Sequence, residues 1–187
     1  VVEVMKSGTK ISAVVLIAFA SLLMAAGPAT QPASHPVRLK HLDINAYNLH
    51  LDYPADWTVL DPPVNNQVLS MQTQAPGKAD RNLGVMGLRI NTGPETADDA
   101  QLLKEISGGM VDYLFNHGGK NIAIKPDKLG DIPARRISVD TDSAKAVYMV
   151  AVLHHTEYVF NIAAPADQME KMMSAALEVI RSFKITE

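Results

Sequence analysis

The sequence predicts an α+β domain in which a central antiparallel β-sheet is flanked by helices. Three observations carry that prediction. Short alternating apolar and polar runs, separated by Pro-, Gly- or Asp-containing breaks, recur between Tyr47 and Ala163. Two other segments place apolar residues three and four positions apart, as one face of a helix does. Strands precede a helix twice, which suits helices laid on an antiparallel sheet rather than a parallel sheet built from alternating units.

Tyr47, Leu49, Leu51 and Tyr53 alternate with Asn48, His50 and Asp52 and predict a half-buried strand. Pro54-Ala55-Asp56 breaks it, Trp57 to Leu60 resumes extended structure, and Asp61-Pro62-Pro63 stops it, a punctuation that predicts a hairpin-like entry. Gln67 to Gln72 and Leu83 to Ile90 read as further strands around a polar loop from Ala75 to Arg81. Gly84 and Gly87 in the second of these predict a bulge or a close backbone approach.

Thr96 is expected to open the first helix, with Asp98 and Asp99 in its first turn where negative charge complements free amides. Leu102, Leu103, Ile106, Met110, Tyr113 and Leu114 give it one apolar face up to the His117-Gly118-Gly119 stop. Gly108-Gly109 inside it costs about 1 kcal/mol per residue relative to alanine, which predicts a kink or a closely packed backbone there. Asn121 to Lys125, Ala134 to Val139, Lys145 to Leu153 and Tyr158 to Ala163 follow as strands, with turns at Pro126 to Asp131, Asp140 to Ser143 and His154 to Glu157. Short turns of this kind favour antiparallel pairing. Pro165 begins a last helix whose Met169, Met172, Met173, Ala176, Leu177 and Ile180 form a stripe ending at Phe183; core packing accounts for the methionines more simply than an adaptable binding face.

Ahead of this domain, Lys6 and Lys10 precede an uncharged apolar run from Ile11 to Ala26 and then small residues and prolines. This is the layout of a secretory signal peptide over residues 1–29, with Met5 the expected start and cleavage after Ala26 or Ala29. The run is short for a membrane-spanning helix, which takes roughly 20 residues. An uncleaved segment holding the domain at the membrane is the alternative. Residues 30–44, with Pro32 and Pro36, are expected to be a mobile linker, leaving 45–187 as a single domain. The roughly 155 residues after the signal are enough for an ordinary core. That core must stand without disulfides, and no lipid can be attached through cysteine, because the chain has none. Losing Lys6, Lys10 and Glu3 with the signal moves the net charge from −3 to −4, so no basic field invites nucleic acid.

The order of several short motifs is distinctive. The run from Tyr47 through Pro54-Ala55-Asp56-Trp57, the Leu129-Gly130-Asp131-Ile132-Pro133-Ala134 entry into a strand, the strand pair Val147 to Leu153 and Tyr158 to Ala163, and the closing Arg181-Ser182-Phe183 together resemble the PsbP-like family. That family includes the extrinsic photosystem II protein PsbP, the Ran-binding Mog-type nuclear transport factors and many small exported bacterial proteins. The resemblance spans Asn45 to Phe183 and implies an α/β/α sandwich around an antiparallel sheet, without enzymatic activity. The family commonly has glycine before the tryptophan. Asp56 stands there instead, a residue that tolerates turn and left-handed conformations. The partner contacts of PsbP and the Mog-type proteins map onto no motif of this chain, so the resemblance assigns no site residue.

No catalytic, cofactor-binding or metal-ligating residue is assigned, and no cofactor is expected. No Gly-x-Ser-x-Gly elbow exists, and Ser107-Gly108-Gly109 falls inside a helix. Gly84-x-x-Gly87 and Gly118-Gly119 do not make a dinucleotide fingerprint. His154, His155 and Glu157 on a turn are a conceivable metal set, against the plainer reading of an exposed hairpin tip. Asp140-Thr141-Asp142-Ser143 starts like a calcium loop but lacks its glycine and distal glutamate. His50 and Asp52 share a strand face, as polar residues two apart do on any half-exposed strand, and Arg135-Arg136 reads as a solvated strand edge rather than an anion grip. The sequence therefore predicts an exported, periplasmic or extracellular, non-catalytic accessory whose partner is another envelope protein. A periplasmic small-ligand or metal-binding protein is the alternative, and a hydrolase a distant third.

Overall fold

Alternation and helical periodicity resolve into two sheets and two helices in the computed structural model, which describes residues 38–61, 63, 67–75, 78–95 and 98–186. The segment expected to be a signal peptide and Thr96 lie outside the described residues. The strands are β1 (Leu39–Ile44), β2 (Leu49–Pro54), β3 (Trp57–Val59), β4 (Leu69–Ala75), β5 (Lys78–Thr92), β6 (Lys120–Leu129), β7 (Ile132–Asp140), β8 (Lys145–Leu153), β9 (Thr156–Ala164) and β10 (Lys184–Ile185). The helices are α1 (Asp99–Asn116) and α2 (Met169–Ser182), with a 3-10 turn at Asn45–Tyr47.

The larger sheet has seven strands in the order β3-β4-β5-β9-β8-β7-β6, and the smaller has three in the order β1-β2-β10. All pairings are antiparallel. Helix α1 lies on one face of the large sheet, over β6, β7 and β8. Helix α2 lies on the other face, against β5, β6 and β9, and it also carries the small sheet through β2. The architecture is the α+β sheet with flanking helices that the sequence predicts.

Period-2 alternation explains the two cores. On β8, Val147, Met149 and Ala151 point toward α2 while Ala146, Tyr148 and Val150 point toward α1. On β9, Tyr158, Phe160 and Ile162 join the α2 side, and Val159 the α1 side. The α2 core adds Leu49, Leu51, Trp57, Met86, Leu88 and the stripe Met169, Met172, Ala176, Val179 and Ile180; the methionines pack into it. Each fully buried side chain of this kind contributes about 1.5–3 kcal/mol. Phe183 closes the end, its ring edge-on to Tyr158 and Phe160 at 5.6 Å from each. Ser182 beside it ties the end of α2 to the small sheet, since its Oγ accepts the backbone N–H of Asp52 on β2 at 2.8 Å.

Five local expectations are corrected. Strand β1 occupies residues 39–44, so the end of the stretch read as linker is part of the fold, paired along its whole length with β2. The break at residues 54–56 is not a hairpin: β2 belongs to the small sheet and β3 to the large one, where it pairs with β4. Residues 78–81 are strand rather than loop, and β6 runs through Pro126, which an edge strand tolerates because that position need not donate to a neighbour. Helix α1 runs unbroken through Gly108, where an added Cβ would meet nothing within 4 Å. The turn expected to survive with Asp56 before Trp57 is present at Ala55-Asp56, and it forms without a positive φ.

Gly84 and Gly87 behave as strand glycines under close approach do. A Cβ at Gly84 would sit 2.8 Å from the Met172 sulfur, and one at Gly87 would collide with the Gln67 carboxamide. A register shift also falls in the β4–β5 pair next to Gly84, beyond Thr73.

Candidate functional site

The tripeptide His-Leu-Asp occurs twice, at residues 41–43 and 50–52. Because β1 and β2 are antiparallel, the two copies meet in opposite order: His41 faces Asp52, Leu42 faces Leu51 and Asp43 faces His50. Alternation turns both leucines toward the α2 core and leaves the four polar side chains together on the outer face.

These side chains are joined. His41 Nδ1 lies 2.8 Å from Asp52 Oδ1, and His41 Nε2 lies 2.9 Å from Asp43 Oδ1. The same Asp43 oxygen takes a short contact from His50 Nδ1, and His50 Nε2 is 3.0 Å from Thr186 Oγ1. The two imidazole rings are nearly parallel, with centroids 6.0 Å apart. Thr186 is delivered by β10, whose Lys184 and Ile185 pair with His50 and Leu49, and whose next amide donates to Asn48. The Asp52 carboxylate, followed by Asp43 and against some opposing desolvation, raises the His41 pKa above its ordinary value. The His50 imidazole, with His41, holds the Asp43 carboxyl below its ordinary value. Among the described residues, the donor atoms of His41, Asp43 and His50 form a group close enough to share one ion, all within 4.8 Å of one another.

The sequence did bring His50 and Asp52 to attention as neighbours on a face, but their partners are Asp43 and His41 rather than each other. His41 and Asp43 escape notice because they fall in the stretch read as linker. The repeated His-Leu-Asp is the signal that finds them.

The other candidates are dispersed. His154 and His155 form the β8–β9 turn with φ of 48° and 60°, and their backbone N–H groups donate to the Asp99 carboxylate at 2.8 Å each. Glu157 turns away to Asn91 Nδ2 at 2.9 Å and Arg89 at 3.8 Å, so the three do not converge. Asp142 pairs with Lys120 and Asp140 with Asn121 and Lys145, which leaves no common oxygen cage. Arg136 is ion-paired with Asp127 at 2.9 Å, and its strand β7 lies between β6 and β8, which corrects the reading of Arg135-Arg136 as a strand edge. Ser107 is fully buried and donates to the Leu103 carbonyl at 2.6 Å, as helical packing requires.

A second feature is the part of the large sheet beyond α1. On the α1 side of β4, β5 and β9, Gln67 lies across Gly87, accepting from Ser70 Oγ at 2.6 Å and donating to Asn161 Oδ1 at 2.8 Å. Arg89, Glu157 and Asn91 continue this polar surface. Helix α1 packs mainly on the other strands of the sheet, β6, β7 and β8.

No protein-family model matches the sequence, and no curated protein matches it. Solved structures do resemble it in shape. The cyanobacterial PsbP protein of Synechocystis sp. PCC 6803 superposes with a TM-score of 0.59 at 9% identity, covering 84% of this chain and 98% of that one. LpqN of Mycobacterium tuberculosis, described as involved in cell envelope biogenesis, gives 0.57 at 17% identity, with 82% and 93% covered. The Saccharomyces cerevisiae Ran-binding protein Mog1p gives 0.53 at 10% identity, with 80% and 96% covered. The chain has the PsbP/Mog-like fold.

Proposed function

We propose that this chain is an exported, non-catalytic binding or assembly accessory of a protein complex in the cell envelope. The observation that carries the proposal is the sheet surface beyond α1. Its side chains are already ordered by one another, through Gln67, Ser70 and Asn161 and through Arg89, Glu157 and Asn91. A polar, pre-ordered sheet face suits a protein partner better than a small molecule, which favours a concave and mostly apolar site.

The fold comparisons support this reading at the level of shape, since Mog1p is described as Ran-binding and LpqN as taking part in envelope biogenesis. The lysine-led apolar segment supports export to the periplasm or outside, and left uncleaved it would serve as a membrane tether.

The test is crosslinking of tagged full-length protein in its native envelope, followed by purification and mass spectrometry. One stoichiometric envelope partner is expected, with recovery falling about tenfold or more in Arg89→Glu. That loss is the usual scale for removing a well-placed charge from an interface. Recovery of the protein alone and monomeric would overturn the proposal, as would turnover of a defined substrate abolished by changes at one polar cluster.

A further inference from the structure

We propose that His41, Asp43 and His50 bind one divalent cation of the zinc class, with Asp52 and Thr186 holding the two imidazoles in place. This site is separate from the sheet surface invoked above, and neither reading depends on the other.

The donor atoms converge. His41 Nε2 and His50 Nδ1 both aim at one oxygen of Asp43, so three donors from two strands already surround one small volume. The rings are also oriented. A metal-binding imidazole ordinarily has its other nitrogen held by a carboxylate, a carbonyl or another polar group, which fixes the ring and its tautomer. Here the other nitrogen of His41 is held by Asp52 at 2.8 Å and that of His50 by Thr186 at 3.0 Å. Each ring therefore has one nitrogen restrained and one presented.

Paired strands form the platform. His41, Asp43 and His50 stand on hydrogen-bonded strands whose intervening residues, Leu42, Leu49 and Leu51, pack into the main core. Ligand positions fixed by strands are held more precisely than those on a loop. The side chains of His41, Asp43 and His50 are 59%, 48% and 30% exposed, so an ion has a path in and water can complete its shell.

Donor chemistry chooses the cation. Two imidazoles and one carboxylate suit zinc, copper(II), nickel(II) or cobalt(II), whereas magnesium and calcium prefer all-oxygen shells. Three protein ligands with a position left for water is the open form of a zinc site.

The experiment uses the full-length chain without a polyhistidine tag and titrates zinc by calorimetry, with cobalt(II) absorption as a report of coordination and magnesium and calcium as controls. One equivalent of zinc is expected to bind, with magnesium and calcium silent. Binding should fall at least about thirtyfold in His50→Gln and in Asp43→Asn, and about 10–100-fold in Asp52→Asn, which alters only the group that orients His41. Replacing His154 and His155 should leave it unchanged. Histidine side-chain NMR of the unaltered protein, needing no variant to fold, should show His41 and His50 shifting together on zinc addition. The proposal is overturned if no zinc binds at millimolar concentration. It is equally overturned if zinc shifts other histidines but not this pair, or if folded His50→Gln and Asp43→Asn bind as the unaltered chain does.

Discussion

Asp99 and His155 are joined twice: the Asp99 carboxylate accepts the His155 backbone N–H at 2.8 Å and lies 3.6 Å from its Nδ1. The other carboxylate oxygen accepts the His154 N–H, so the first turn of α1 holds the β8–β9 turn from below. A two-residue turn with both φ values positive is the hairpin geometry that Asn-Gly fills without strain, and two histidines fill it at a cost of about 1–2 kcal/mol each. Asp99→Ala is expected to lower stability by about 1–2 kcal/mol, and His154→Asn with His155→Gly to raise it by a similar amount. Urea midpoints of the three proteins check both signs.

Gly130 makes the opposite case. Its φ is +57°, its N–H donates to the Ile180 carbonyl at 2.8 Å, and a Cβ there would lie 2.1 Å from the Phe183 carbonyl oxygen. Neither the β6–β7 turn nor the end of α2 can yield without losing core packing at Phe183. Gly130→Ala should therefore cost more than about 2 kcal/mol, seen as a fall of several degrees in the thermal midpoint.

Gly108 carries no such constraint. It lies in the middle of α1 with open space where a Cβ would go. Gly108→Ala should raise stability by about 0.5–1 kcal/mol through helix propensity and a less flexible unfolded chain, with no change in the far-UV spectrum beyond the noise.

Tyr148 provides an alkaline signature. Burial beneath α1, reinforced by the nearby Tyr113 and partly offset by Arg89, pushes its phenol up to about 12. The native state then holds this proton more tightly than the unfolded chain does. The associated stability is complete below about pH 10 and is lost as pH rises from there toward 12, by roughly 2 kcal/mol in all. Urea midpoints between pH 9 and 11 should decline in the unaltered protein and decline much less in Tyr148→Phe. An equal decline in both would place the effect elsewhere.

Legibility followed the range over which each feature is encoded. The faces of β8 and β9 and the stripe of α2 were readable because alternation and 3.6-residue spacing are local consequences of which side chains face a core. Trp57 was expected to follow a hairpin-like turn, yet its strand enters a different sheet from β2. Periodicity records which side of a strand is buried but not which strand lies beside it. β10 was missed because two residues carry no period at all; its existence depends on β2 being 134 residues earlier at the Lys184–His50 pairing. The candidate site was hidden for the same reason. Prolines at 32 and 36 made the region before Asn45 read as linker, and only the pairing of β1 with β2 converts two ordinary His-Leu-Asp tripeptides into one cluster.

The small sheet has a mechanical consequence. β1 enters opposite Pro54 and runs toward Leu49, while β10 leaves opposite Leu49 on the other side of β2. Tension applied between Leu39 and Ile185 pulls the two outer strands in opposite directions along their own axes. The rungs between β1 and β2 are then loaded together, in shear, rather than peeled one after another. Two of those rungs are the His41–Asp52 and Asp43–His50 pairs, so an ion held there would act as a rivet across the seam that bears the load.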